Sequence, residues 1–155
     1  MRYCTLAVVA ITLTAFGLSA IAQQEETAER RNLAPNPSFE DGDARGPARW
    51  AKRAAPGSSA VFEWVEGVAR TGERSVSIAR TEDVGYGDRW RAGYDHNIGA
   101  QPGTEVTLTA WAKTEDVTGA GAHAQIYAIG IEGEILGQPS GGAVRGTSDW
   151  TQVSV

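Results

Sequence analysis

The segment Glu105 to Lys113, EVTLTAWAK, alternates without a break. Val106, Leu108, Ala110 and Ala112 fall on one side of an extended chain, and Thr107, Thr109, Trp111 and Lys113 on the other. A period of two fits a strand with one buried face; wound as a helix, the same residues would scatter their apolar groups around the axis. The period recurs along the chain. Ser59 to Glu66 places Ala60, Phe62 and Trp64 together, and Ser75 to Arg80 sets Val76 and Ile78 against Ser75 and Ser77. Ala122 to Ile131 sets Ala124, Ile126 and Ala128 against His123, Gln125, Tyr127 and Ile129. Trp90 to Ala100 is a less regular extended stretch, and Thr147 to Val155 is a further strand. The 19 glycines cluster between these segments, where tight turns need them, and Glu132-Gly133-Glu134 reads as a hairpin turn. No stretch of helical period follows residue 31. The pattern predicts an all-β fold, a sandwich or barrel of short strands.

The first residues have a different texture. Met1-Arg2 gives a positive start, Leu6 to Ile21 is almost wholly apolar, and Ala20-Ile21-Ala22 supplies a small-x-small cleavage pattern. Residues 1–22 therefore read as a signal peptide and 23–31 (QQEETAERR) as a polar linker, with the β domain over 32–155. The competing reading is an uncleaved anchor, since the apolar run approaches the length of a membrane span. Cys4, the only cysteine, precedes the apolar run, which excludes a lipoprotein anchor and leaves the exported domain without thiols. Secretion or delivery to the periplasm follows, with no stable membrane insertion once the leader is cut.

Charge and residue chemistry narrow the function classes. With 155 residues and a net charge of −5, the chain is one acidic domain without a basic run, which argues against nucleic acid as a partner. His96 and His123 stand alone, and no G-x-S-x-G elbow accompanies them. The adjacent carboxylates Glu40-Asp41, Glu82-Asp83, Glu115-Asp116 and Glu132 with Glu134 sit in expected turns, where acidic groups solvate loops. Glycoside hydrolysis would need two of them facing across a cleft. No glycine-rich loop opens a helix to cradle phosphate. These features point away from an enzyme.

The aromatic residues carry more information. Five tryptophans, Trp50, Trp64, Trp90, Trp111 and Trp150, all follow the leader. A sugar ring presents an apolar C–H face and a rim of hydroxyls, which aromatic faces and planar amides bind. Trp111, His123, Gln125 and Tyr127 would supply that mixture if their two strands were neighbours in one sheet. Trp50 and Trp150 read instead as core or strand-end anchors.

Four motifs in order carry a family likeness. NLAPNPSFEDG (Asn32 to Gly42) with PARW (Pro47 to Trp50), TGERSVSI (Thr71 to Ile78), QPGTEVTLTAWAKTEDVTG (Gln101 to Gly119) and GTSDWTQVSV (Gly146 to Val155) span nearly all of the chain after the leader. Together they resemble carbohydrate-binding modules of the CenC type, the family 4/9/16/22 group with a galactose-binding-like jelly-roll fold. Val106 stands where that family often has Tyr. The family also continues past the point matching Val155 into a further strand pair with an acidic strand, so the resemblance implies a sandwich incomplete at its C-terminal strands. Its opening segment implies a first strand and turn, with Phe39 in the core.

The resemblance further implies a structural calcium, with Glu40 as a ligand and Glu73 as a weaker second. It places sugar contacts on a concave sheet and in the loop holding Trp90, Tyr94, Asp95 and Asn97, with Trp111, Gln125 and Tyr127 completing the set. The expected function is non-catalytic binding of a polysaccharide or oligosaccharide, as an accessory to a glycoside hydrolase within a longer multidomain protein. The alternatives are a structural or adaptor jelly roll without a sugar ligand, and a fragment of a secreted glycosidase.

Overall fold

The computed structural model describes residues 3–14 (main chain), 32–81, 87–92 and 98–155. Every regular element in it is a strand: β1 (Tyr3–Thr14), β2 (Gly42–Asp43), β3 (Gly46–Pro47), β4 (Trp50–Arg53), β5 (Val61–Glu66), β6 (Arg74–Ala79), β7 (Arg89–Ala92), β8 (Glu105–Gln125), β9 (Ala128–Ile129), β10 (Ile135–Gly137) and β11 (Ser140–Ser154). The all-β expectation holds. The largest sheet has the order β11-β8-β1-β6-β5, and the pairs β2-β3, β4-β7 and β9-β10 form three small antiparallel ribbons.

Alternation places the side chains of the large sheet as expected. Val76 and, across the ladder, Trp64 and Phe62 turn to one face, where Val76 is fully buried. Ala110 and Ala112 of β8 are buried, while the alternate residues Trp111 and Lys113 are not. Ser75 and Ser77 are buried as well, so β6 is covered on both faces at its centre.

The sequence predicts two separate strands over Glu105 to Lys113 and Ala122 to Ile131. The first, and Ala122 to Gln125 of the second, belong to one strand, β8, paired from Thr109 to Gln125 with β11, while Ala128 and Ile129 form β9. That long ribbon does not run straight. Four register shifts interrupt the β8-β11 ladder, and Asp116, Gly119 and Gly121 take positive φ. Bulges of this kind bend and twist a ribbon. The side chains hold the bend: the Thr147 hydroxyl accepts the Asp116 amide at 3.0 Å and donates to the Asp116 carboxylate at 3.2 Å, and Arg145 Nε donates to the Gly119 carbonyl at 2.8 Å. The ribbon folds back on itself, so that Gly142, with φ +70°, comes against Val153 near the other end of β11. A Cβ on Gly142 would fall 2.6 Å from Val153 Cβ, so only glycine fits that crossing. Ala122 and Ala124 thereby pack with Ala110, Ala112 and Val153 in one core cluster.

A second cluster joins Phe39, Val76 and Trp90, and Trp50 packs against both. Trp50 acts as the anchor its position suggests: its indole N–H is shared between the carbonyls of Pro35 and Asn36, at 3.0 and 3.1 Å, and its ring lies 4.8 Å from that of Phe39. The Asn32 to Gly42 segment departs from expectation. Up to Asp41 it forms bends and a turn rather than a first strand, and only Gly42 enters the two-residue β2. Its two prolines remove ladder donors, and Asn36 takes over the pairing: its side-chain amide donates to the Asp41 and Ala48 carbonyls, at 2.8 and 3.1 Å, and its Oδ1 accepts the Asp41 N–H at 3.2 Å. Phe39 sits at φ 61°, unusual for a bulky residue, and is fully buried; its packing outweighs the backbone strain.

The predicted turn at Glu132-Gly133-Glu134 is present between β9 and β10, closed by the Gly130 amide donating to the Glu134 carbonyl at 2.8 Å. The linker expected over 23–31 lies outside the described residues.

Candidate functional site

β7 brings together the side chains of the candidate site. Trp90 points inward and is buried, its indole N–H donating to the Ser77 carbonyl at 3.0 Å and its ring edge-on to Phe62 at 5.9 Å. Strand alternation then turns its neighbours Arg89 and Arg91 to the opposite side, where both are half-buried and the Arg89 Nε is enclosed. Tyr127, which follows β8, lies half-buried against them, its ring centre 5.5 Å from the Arg89 guanidinium and 5.9 Å from that of Arg91. Gln125, two residues earlier, is half-buried too, its amide N–H donating to the Gln138 carbonyl at 3.4 Å.

A rigid foundation positions β7. Asp88, at its entrance, has a side chain only 6% exposed. Its carboxylate accepts the Ala55 amide at 2.7 Å, the Ser58 hydroxyl at 2.8 Å and Arg80 Nη1 at 3.0 Å. Three donors from two segments thus converge on Asp88 just before Arg89, whose Nη1 donates to the Gly87 carbonyl at 2.7 Å. Asp88 carries no signal in the sequence; its partners lie 8 to 33 residues away and meet only in the fold.

The residues expected to contact sugar divide into separate groups. Trp90 is a core residue, because its ring is enclosed and its N–H is spent on the backbone. Trp111 and Gln125 belong to the same strand rather than to neighbours. The fold-back buries Ala110 and Ala112 against Ala122 and Ala124, so the residues between them, Trp111 and His123, face away on opposite sides of the doubled ribbon. The combined face of Trp111, His123, Gln125 and Tyr127 therefore does not form. Trp111 has the Arg70 guanidinium stacked 3.6 Å from its ring centre, and His123 Nδ1 lies 3.2 Å from the Gly121 carbonyl. Tyr94, Asp95 and Asn97 lie outside the described residues. Tyr127 stands beside Arg89 and Arg91, which the sequence reading did not select, and Gln125 is bonded to Gln138.

Glu40 and Glu73 do meet, in a different manner from a metal site. Glu40 Oε1 accepts the main-chain N–H groups of Glu73 and Arg74, at 3.0 and 3.1 Å. Gly72, at φ +73°, leaves the space the carboxylate needs; a Cβ there would collide with it. Two N–H donors on Oε1 are the reverse of the oxygen cage calcium requires. Among the described residues no group of three His, Cys, Asp or Glu side chains could hold a metal ion. The residues present do not fit a calcium site, and Glu40 instead ties the opening segment to the start of β6.

Among the described residues no helix is long and apolar enough to cross a membrane. Comparisons with family models, with curated proteins and with solved structures found no match to this chain.

Proposed function

We propose that this protein is an exported, non-catalytic carbohydrate-binding module with a jelly-roll sandwich, as its four CenC-like motifs imply, and that Tyr127 is its sugar platform. The observation that carries the site is the grouping of Tyr127 with Arg89 and Arg91 of β7, Gln125 lying two residues before Tyr127 in the chain. A phenol ring takes the C–H face of a pyranose, while guanidinium and amide N–H groups reach its hydroxyls. Stacking of one ring adds on the order of 1 kcal/mol beyond the area it buries, which places affinity in the micromolar to millimolar range. Gel retardation of the protein on a panel of soluble polysaccharides tests the proposal; migration unchanged on every glycan removes it.

A second reading, an adaptor domain that binds protein, is favoured by one observation. The β9-β10 hairpin next to Tyr127 exposes Ile131 completely and Ile135 and Leu136 by 56% and 69%. Apolar side chains massed at a hairpin tip mark contact surfaces. Under the adaptor reading, Ile131→Ser with Leu136→Ser abolishes partner capture and Tyr127→Ala does not; under the carbohydrate reading the effects on glycan retardation are reversed.

A further inference from the structure

Two half-buried arginines of this protein are matched with carboxylates. Arg74 pairs with Glu66, and Arg80 bonds to Asp88 at 3.0 Å. Arg89 is half-buried as well, and among the described residues no carboxylate pairs with it. The adjacent Asp88 does not serve it, because that carboxylate is taken by Ala55, Ser58 and Arg80. Arg89 Nη1 is spent on the Gly87 carbonyl, and its enclosed Nε has no acceptor. A guanidinium drawn partly out of water without a counter-charge is unfavourable, and an anion beside it relieves that cost.

Arg91 stands two positions further on the same face of β7, which sets the two Cα atoms about 6–7 Å apart. Both guanidinium groups flank Tyr127, at 5.5 and 5.9 Å from its ring centre. Neither makes the close stack that Arg70 makes on Trp111 at 3.6 Å. The chain as a whole carries a charge of −5, so this pair is a local positive patch on an acidic protein. A polyanion is repelled by such a protein in general and is held only where cations gather.

We infer that the ligand of the Tyr127 site is an acidic glycan, one whose sugar carboxylate lies against Arg89. This rests on the sugar-platform reading of Tyr127 and names the class of sugar. A uronate ring meets all three groups: its C–H face lies on the phenol ring, its carboxylate takes N–H donors of Arg89, and Arg91 adds a second positive charge. Arginine suits this task better than lysine, because its planar fork matches a carboxylate. A neutral sugar would leave the Arg89 charge uncompensated.

Affinity electrophoresis tests this with gels holding polygalacturonate, the same polymer with its carboxylates reduced to primary alcohols, or dextran sulfate. Polygalacturonate should retard the protein at least about tenfold more strongly than the reduced polymer, the loss expected for one charge-assisted contact. Arg89→Lys, which keeps the charge and loses the fork, should weaken retardation by polygalacturonate about fivefold or more, with the near-ultraviolet circular dichroism of the tryptophans unchanged. The comparison of the two polymers uses the parent chain, so it stands whether or not the variant folds. Equal retardation by the reduced polymer, lost in Tyr127→Ala, overturns the acidic ligand and leaves the sugar platform in place. Stronger retardation by dextran sulfate assigns the patch to sulfate esters and overturns the carboxylate. Retardation by polygalacturonate that a folded Arg89→Lys retains in full overturns the role of Arg89. No retardation by any of these polymers or by a neutral glycan removes the sugar platform, and the acidic ligand with it.

Discussion

Phe39, Glu40 and Asp43 sit close together and show how differently residues reveal themselves. Phe39 is legible from the sequence, since a lone aromatic amid prolines and acids has one favourable place to go. Phe39→Ala removes a fully buried ring that contacts Trp50, and should cost about 3–5 kcal/mol, measured by urea unfolding. Glu40 is not legible. A carboxylate before Asp-Gly looks like an ion ligand, and only the fold shows two amides from 33 and 34 residues away bonded to it. Chelation by EDTA should therefore leave the melting temperature unchanged, and added calcium should not raise it.

Asp43 is held well below the usual carboxylate range, to about 2, chiefly by the side-chain hydrogen bonds from Arg45 and then by the Arg45 amide. A carboxyl depressed on folding adds stability above its unfolded value of 3.8, and that contribution is lost as pH falls through about 2. Both side chains are exposed, so the effect on overall stability is small. The NMR titration of Asp43 should have its midpoint near 2, and Arg45→Ala should move it back toward 3.8.

At the scale of elements, the strands were legible because each buries one face, and alternation records that directly. β5, β6 and the first half of β8 lie where their apolar residues predict. What alternation does not record is whether two strands lie side by side or end to end. Glu115 to Gly121 looks like a loop because of its acids and glycines, yet it continues the ladder through bulges. That one ambiguity split the expected sugar face and separated Trp111 from Gln125. Trp90 failed for a related reason: in a four-residue strand, a shift of one position exchanges inside for outside. The fold-back itself depends on Gly142. Gly142→Ala forces a methyl into Val153 and a strained backbone, and should destabilise the protein by about 2 kcal/mol or more, while Gly133→Ala, with open space around it, should cost less, about 1 kcal/mol. Thermal unfolding of the two variants side by side gives the comparison.

For the whole molecule, composition and period lead to an all-β chain, and the packing of two core clusters around Trp50 follows from it. The role of the first residues does not. An apolar run after a positive start describes a leader, and β-branched residues within that run, Thr5, Val8, Val9 and Ile11, also describe a buried strand. The two descriptions share one sequence, and the sheet order shows Tyr3–Thr14 paired as a strand. The outward surface over β7 arises at this scale too. Arg89 and Arg91 come from one part of the chain and Tyr127 from another, brought together by a doubled ribbon and a strand anchored on Asp88.

The most direct measurement is affinity electrophoresis of the protein, Tyr127→Ala and Trp111→Ala on the polysaccharide that retards the parent chain most. Tyr127→Ala should lose retardation by about fivefold or more, in line with one stacked ring, and Trp111→Ala, on the far side and covered by Arg70, should migrate like the parent. Retardation that persists in Tyr127→Ala and vanishes in Trp111→Ala would contradict the account.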